Sequence, residues 1–349
     1  MFDNDAFDAH ENVLHVHDRD SGLKAIIAIH STVMGPSAGG CRLWNYESAH
    51  EALTDALKLS KGMSYKNALA GLKLGGGKSV ILGPVPDGDR ESLLLAFGEC
   101  VEMLAGRYIT AEDVGIGPAD MQILAKRTGY VSGLSPEDGI GGDPSPFTAN
   151  GIRRGIEAVA HQVFERRDLG GLRVAVQGLG GVGGNLCREL SELGAELLVA
   201  DIDQDNVDRI CDTYHAEPLH HEEILLAETD ILAPCALGGA VTEFVAENMR
   251  ARAVAGGANN QLLTELAGYI LHERGISYAP DYVINAGGII AVATEYFRDR
   301  SVEEMMELID AIHDRTVDIL RRVEATGEPG FLIADQMARD VIAAKRQAA

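Results

Sequence analysis

The sequence predicts an α/β protein of two domains, and three observations carry that prediction. At 349 residues the chain is long enough for two units of roughly 150 residues, each with its own core. Short apolar runs alternate along it with amphipathic stretches of helical period, the order that layers helices on a sheet. Residues 133–147 interrupt this alternation with a stretch dense in Gly and Pro, the composition of a loop or hinge, so the domain boundary is expected near 145.

The elements follow in order. Residues 12–17 and 23–30, separated by DRDSG, read as a β-hairpin. A helix is expected from Ser48 to about Gly62: Ser48 with Glu51 three residues on makes a capping box, and Ala52, Leu53, Ala56, Leu57 and Leu59 recur at helical spacing. Next come a short strand at 79–82, a helix at 89–104, a strand at 108–113 and a helix at 118–127 with Pro118 in its first turn. Beyond the Gly/Pro stretch a helix is expected over 148–164. Buried strands of parallel type follow at 172–177, 195–201, 230–233, 253–255 and 282–285, with helices between several of them. Amphipathic helices at 302–322 and 331–348 complete the order, and no internal repeat is present.

Charge removes several classes of partner. With 53 Asp and Glu against 30 Lys and Arg the formal charge is −23, and such a surface repels nucleic-acid phosphate and anionic lipid. No uncharged apolar run of about 18 residues exists to span a bilayer. MFDND at the start is not a basic segment leading into an apolar one, so cytoplasmic residence is expected. The five cysteines (Cys41, Cys100, Cys187, Cys211, Cys235) are odd in number and form no CxxC pair, so neither a disulfide frame nor a metal site is expected. The cations are uneven too: of only 8 lysines, Lys58, Lys61, Lys66, Lys73 and Lys78 share one 21-residue window.

VAVQGLGGVG at 174–183 is a strand running into G-x-G-x-x-G and then a helix. A second apolar strand ends in Asp201, 23 residues after Gly178. In that context Gly178 permits the tight turn, Gly180 lets a pyrophosphate approach the backbone, and Gly183 lets helix and strand pack closely. An acidic side chain at Asp201 suits ribose hydroxyls and repels a 2′-phosphate, which favours NAD over NADP; Asp203 is the alternative for that role. The second domain is therefore expected to be a Rossmann-type dinucleotide-binding domain, with Val182 and Ile202 beside the motif residues.

In the lysine window, Gly77-Lys78-Ser79 ends like a phosphate-binding loop, but that motif needs Gly where Leu72 stands. The other reading pairs a lysine that holds a carboxylate with one that serves as base. Two ammonium groups close together, and buried, disfavour each other's charge, so one of such a pair is able to take a proton at mildly alkaline pH. The residues leave Lys66 and Lys78 both open for either role, while Lys58, Lys61 and Lys73 read as surface charge.

The segments GPSAGGCRLW (35–44), GMSYKNA (62–68), GGGK (75–78), AEDVG (111–115), GDPSPFT (142–148), the Gly178 motif, APCALG (233–238), AGGANNQ (255–261) and APDYVINAGG (279–288) together resemble the glutamate/leucine/phenylalanine/valine dehydrogenases, in that family's order. The resemblance implies an N-terminal substrate and oligomerisation domain (1–146), an NAD-binding domain (147–324), a deep cleft between them, and a final helix (about 325–349) packing back on the first. It implies reversible oxidative deamination of an L-amino acid to the 2-oxo acid and ammonia, and a homo-oligomer, octameric or smaller. By the match, Lys66 binds the substrate carboxylate, Lys78 is the base that activates water, and Asp113 relays protons near the amino group. Gly39, Gly40 and Asn260 help to fix the substrate. Thr148, Asn259 and Asn285 surround the nicotinamide end, and Cys235 with Ala236 lies along the adenosine.

The side-chain pocket implied by the match has Ala38, Gly40, Ala111, Ile289 and Val292 as walls, all small or aliphatic and none charged. No cation stands there to meet a distal carboxylate, so a branched-chain substrate (leucine, with valine and isoleucine) is expected rather than glutamate. One methylene discriminates by only about 1–3 kcal/mol, and an aromatic amino acid is the alternative within the family. A silent NAD-binding regulator could dispense with Lys66, Lys78 or Asp113, and this chain has all three.

Overall fold

In the computed structural model residues 1–85, 89–134 and 142–348 are described, so part of the Gly/Pro stretch, 135–141, lies outside the described residues. The chain forms two compact units: the described residues of Met1–Asp143, Val292–Ser301 and Ala338–Ala349, and those of Pro144–Ala291 with Val302–Met337.

The first unit contains β1 (Asn12–His17), β2 (Lys24–Ser31), β3 (Ser37–Trp44), α1 (Ala49–Leu69), β4 (Gly75–Leu82), α2 (Arg90–Glu102), β5 (Tyr108–Ala111) and α3 (Pro118–Leu124). Its sheet has the order β1-β2-β4-β3-β5. The expected hairpin is there, β1 against β2 in antiparallel register, and β3 runs parallel to both β4 and β5. Strand alternation gives the sheet two faces. Ala25, Ile27, Ile29, Cys41 and Ile81 pack with Phe97, Val101 and Met121 of α2 and α3, whereas Ile26, Ala28 and Val80 pack with Ala52, Leu53, Ala56 and Leu57 of α1.

Two of these elements depart from expectation for one reason. Strand β3 was not foreseen, and β4 begins four residues before the expected Ser79, because Gly39, Gly40 and Gly75 to Gly77 carry no strand propensity of their own. What makes them strands is pairing on both sides, with Ser37 opposite both Gly75 and Tyr108. Helix α1 likewise continues past Gly62 to Leu69, since its far end is packed against the sheet: Ser60, Ser64, Asn67 and Ala68 are all buried. At its start Ser48 Oγ accepts from Glu51 N–H at 3.1 Å, but the Glu51 carboxylate turns to Glu47 N–H rather than closing the box on Ser48.

A histidine cluster is buried under α1. Asp8 N–H donates to His10 Nδ1 at 3.2 Å and His10 Nε2 meets Leu57 O at 3.0 Å, so His10 is neutral with its proton on Nε2. His30 lies 4.8 Å away ring to ring, and its Nδ1 is 2.7 Å from Ser64 Oγ. Burial first, then His10, brings the His30 pKa from 6.5 down to about 4. Folding is therefore not penalised by His30 above pH 6.5. Below it the unfolded chain takes a proton the folded chain refuses, so stability is lost as pH falls from 6.5 towards 4. Between pH 7 and 5 His30→Gln is expected to lose about 2 kcal/mol less stability than the wild type, measured by denaturant unfolding at the two pH values; equal losses would remove His30 as the cause.

The second unit contains α4 (Ser145–Phe164), β6 (Arg173–Gln177), α5 (Gly181–Glu192), β7 (Glu196–Ala200), α6 (Gln204–Tyr214), β8 (Glu217–Pro218), β9 (Ile231–Pro234), α7 (Glu243–Asn248), β10 (Ala253–Val254), α8 (Glu265–Glu273), β11 (Ser277–Tyr278) and α9 (Asp281–Ile284). Helices α10 (Gly287–Phe297), α11 (Val302–Thr326) and α12 (Gly330–Ala348) follow. Its strands are all parallel in the order β11-β10-β9-β6-β7-β8. Counted from β6 this is the doubly wound 3-2-1-4-5-6 arrangement, whose order reverses between β6 and β9. One expected strand is corrected: 282–285 is not a strand but the short helix α9, and the last strand is β11, a few residues earlier. The apolar run is too short for its period to tell strand from helix. Asp281 decides it, since its carboxylate accepts from Gln261 N–H at 2.9 Å and Tyr282 N–H at 2.7 Å and turns the chain there.

Candidate active site

In the first unit the chemistry gathers on the α1 face of the sheet. Lys78 is near the middle of β4, paired opposite Ala28, and only 6% exposed. It is no part of a phosphate loop, since Gly77 to Ser79 lie within a strand. Its Nζ is 2.7 Å from Asp113 Oδ2, and Arg42 Nε reaches the same oxygen at 3.0 Å. Burial pushes the Asp113 carboxyl up, but the charges of Lys78 and Arg42 outweigh it and hold the group below the usual aspartate value.

The glycines of this unit are sites of close approach. A Cβ on Gly76 would lie 2.1 Å from Ser64 N, so the backbone of α1 rests directly on β4 two residues before Lys78. Lys66, half-buried, follows Ser64 by two residues, so both candidate lysines leave the same contact between α1 and β4. A Cβ on Gly40 would meet Glu112 O at 2.5 Å and the Asp113 Cβ at 2.8 Å, which is how β3 comes close enough to present Asp113. Gly39 O is taken by the Tyr108 hydroxyl at 2.7 Å. Ala38 pairs with Ile109 and Gly40 with Ala111, so three of the expected pocket residues are neighbours at one end of β3 and β5. Val292 belongs to this unit as well. Of the lysines read as surface charge, Lys58 and Lys73 are exposed, whereas Lys61 pairs with Asp8 at 2.8 Å.

The second unit assembles the nucleotide motif at the carboxyl ends of β6 and β9. Gly178 has φ +89°, a conformation that favours glycine, and a Cβ on Gly183 would lie 1.9 Å from Gly178 O. Gly180 is exposed at the start of α5, with nothing within 4 Å of where a Cβ would be, which leaves open room for a pyrophosphate at the helix N-terminus. Val182 is half-buried in the first turn of α5. Across the switch point Cys235 N–H donates to Gln177 O at 2.6 Å, and Ala236 lies against Gly178. Asp201 accepts from Leu179 N–H at 2.5 Å and Asp203 N–H at 2.9 Å, fixing its carboxylate beside the turn, while Ile202 is 89% exposed next to it. Asp203, the alternative for the ribose, instead caps α6 through Asp205 N–H. These residues fit a dinucleotide.

At the other end, Asn285 Nδ2 donates to Asn259 Oδ1 at 3.0 Å and Gly257 O at 3.1 Å, leaving the buried Asn285 Oδ1 without a partner among the described residues. Thr148 Oγ1 donates to Pro144 O and lies 2.4 Å from where a Gly288 Cβ would be, so Thr148 and the start of α10 are in contact. Ile289 follows on α10. Asn260 is exposed, with φ +52°, and its carbonyl accepts from Gly239 N–H.

Sequence reasoning missed Arg42, Asp55 and Tyr46, which extend the lysine–carboxylate pair. Arg42 Nη1 donates to Asp55 Oδ2 at 3.0 Å, and the Tyr46 hydroxyl donates to the same oxygen at 2.7 Å. The available signal was a lone charge at Arg42, spaced two residues from Gly40 in an otherwise uncharged stretch.

A parallel doubly wound sheet with a dinucleotide turn, joined in one chain to a sheet carrying a buried lysine on a carboxylate, defines a nicotinamide-dinucleotide-dependent dehydrogenase. Residues 10–130 match the model of the Glu/Leu/Phe/Val dehydrogenase dimerisation domain, and 198–329 that of the Glutamate/Leucine/Phenylalanine/Valine dehydrogenase domain. The chain belongs to this family of amino-acid dehydrogenases. It is 48% identical to a leucine dehydrogenase of Geobacillus stearothermophilus over 97% of its own length and 92% of that protein. It is 43% identical to a valine dehydrogenase of Streptomyces virginiae over 94% and 92%. The crystal structure of an L-tryptophan dehydrogenase from Nostoc punctiforme superposes with a TM-score of 0.84 at 38% identity, covering 97% of each chain. Among the described residues no helix is long and apolar enough to cross a membrane, and no group of three His, Cys, Asp or Glu side chains could hold a metal ion.

Proposed function

We propose that this chain catalyses the reversible, NAD-dependent oxidative deamination of a branched-chain L-amino acid, leucine with valine and isoleucine, to the 2-oxo acid and ammonia. The observation that carries the reading is the buried contact of Lys78 with Asp113, a base and a carboxylate held together on a strand beside small uncharged residues. Lys66 binds the substrate carboxylate, and Gly39, Gly40 and Asn260 help to fix the molecule. Asp113 accepts from the amino group, which must be neutral before Cα gives up its hydride. Lys78, once deprotonated, takes a proton from water as the water oxygen bonds to the iminium carbon, and the resulting carbinolamine releases ammonia. Gly178, Gly180, Val182, Gly183, Asp201, Ile202, Cys235 and Ala236 hold the adenosine and pyrophosphate, with Thr148, Asn259 and Asn285 at the nicotinamide. NAD, when bound, supplies the hydride acceptor. The fixed carboxylate of Asp201 supports NAD over NADP by repelling a 2′-phosphate.

Ala38, Gly40, Ala111, Ile289 and Val292 are read as the side-chain pocket. Residues 1–146 are read as the substrate and oligomerisation domain and 147–324 as the NAD-binding domain. The contact of Arg339 Nε with the Tyr65 hydroxyl at 2.9 Å supports the final helix, about 325–349, packing on the first domain. The protein is read as a cytoplasmic homo-oligomer. The tryptophan-dehydrogenase likeness favours a second reading, an aromatic substrate.

Absorbance at the NADH band decides between them, with a panel of L-amino acids and either NAD or NADP at alkaline pH. Leucine, valine and isoleucine are expected to be oxidised with NAD at the highest kcat/KM. A higher kcat/KM for phenylalanine or tryptophan would replace the branched-chain reading.

A further inference from the structure

The Asp113 carboxylate is bound asymmetrically. Both cations fall on one oxygen, Lys78 Nζ at 2.7 Å and Arg42 Nε at 3.0 Å from Oδ2. Among the described residues Oδ1 accepts no hydrogen bond. A carboxylate on a single lysine could rotate and exchange its oxygens, because an ammonium is a point charge without directional demand. A guanidinium is a rigid planar fork, and this one is fixed at its other end by Asp55, whose Oδ2 also takes the Tyr46 hydroxyl. Asp55 lies on α1, so the fork braces β3 between the helix and Asp113. We infer that Arg42 is a positioning residue of the reaction: it pins Asp113 Oδ2 so that Oδ1 alone faces the substrate amino group. The inference rests on the amino-acid dehydrogenase reading above.

The charges that face Asp113 set what a change at Arg42 does. From β4 comes Lys78, from β3 Arg42, and from α1, through Arg42, Asp55. Cys41 on β3 and Tyr108 on β5 lie on the opposite face of the sheet, packed with α2 and α3; burial pushes the Cys41 thiol up to about 12 and raises the Tyr108 phenol, so both are neutral. The Tyr46 phenol is raised by burial and by its bond to Asp55. Taking the Arg42 charge away removes one cation from beside the buried Lys78–Asp113 pair, so the pair holds its proton to higher pH and the acid limb moves up with it. Taking the Asp55 charge away acts in the opposite direction.

The test is kcat/KM for L-leucine against pH in the wild type, Arg42→Met, Arg42→Lys and Asp55→Asn, with NAD binding and circular dichroism as folding checks. Arg42→Met is expected to move the acid limb up by about one pH unit and to lower kcat by roughly ten- to a hundredfold, with a smaller change in KM. Arg42→Lys keeps the charge but not the fork, so the limb stays near its wild-type place while kcat still falls. Asp55→Asn, nearly isosteric, moves the limb down and gives a reading even where Arg42→Met does not fold. An unmoved limb in both Arg42→Met and Asp55→Asn, or in Asp55→Asn alone where Arg42→Met is unfolded, overturns the inference. So does full kcat in Arg42→Lys. A wild type that forms NADH from no amino acid overturns the functional reading instead.

Discussion

Replacing Lys78 by alanine is expected to lower kcat by about 10²- to 10⁴-fold, the usual contribution of a positioned general base, with a smaller effect on KM. Among the described residues no other amine is bonded to Asp113. Lys78 is the cation buried against Asp113 on β4, and Arg42, the other cation on that oxygen, does not deprotonate in a protein. The fold should survive the change, because removing the lysine leaves Asp113 paired with Arg42 rather than alone. Asp113 nevertheless loses one of two counter-charges in a buried place, so its proton affinity rises. The wild type loses its deprotonated base as pH falls and the variant has none to lose, so the fold loss is greatest at alkaline pH. Lys66→Ala is the informative contrast: a residue that binds carboxylate in both ground and transition states affects KM first. Steady-state kinetics of both variants across pH check the assignment, and near-wild-type turnover in Lys78→Ala would show that another group is the base.

The second unit was more legible in the sequence than the first, and the reason is range. Everything that marks the dinucleotide turn is local: a strand, three glycines, a helix start and an acid 23 residues on. Each carries its own backbone requirement, such as φ +89° at Gly178. The first unit depends on partners far apart in the chain. Arg42 meets Asp113 across 71 positions and Lys78 meets it across 35, and no period announces such pairings. Lys78 is a candidate from the lysine-rich window alone, whereas its role and Asp113 come only through the family resemblance, and Arg42 is a lone charge within one of the resembling stretches. The same cause hid β3, whose glycines become a strand only once β4 and β5 flank them. Asp203 shows the reverse case: two acids two residues apart were both candidates for the ribose, and only the structure shows one spent as a helix cap.

Gly76→Ala adds one methyl group and is expected to remove most of the activity. The new Cβ would lie 2.1 Å from Ser64 N, 2.2 Å from Ser64 Oγ and 2.5 Å from Ser60 O, three atoms of α1. Two of them are backbone, so no side-chain rotation relieves the clash, and α1 must move off the sheet. Ser60 and Ser64 are buried, and Ser64 Oγ is 2.7 Å from His30 Nδ1, so the displacement opens packing that includes the histidine cluster. Overpacking of this kind costs about 1–3 kcal/mol. The functional cost is larger, because α1 carries Lys66 just beyond the contact and Asp55, the anchor of Arg42, before it. Misplacing such groups by about 1 Å lowers kcat/KM by roughly a hundredfold. Ser64→Gly in the same chain removes the hydroxyl but leaves the amide nitrogen, so the double variant should recover little. Thermal unfolding and kcat/KM for L-leucine measure both effects. Activity within twofold of wild type in Gly76→Ala would mean that the close seating of α1 on β4 does not set the position of Lys66.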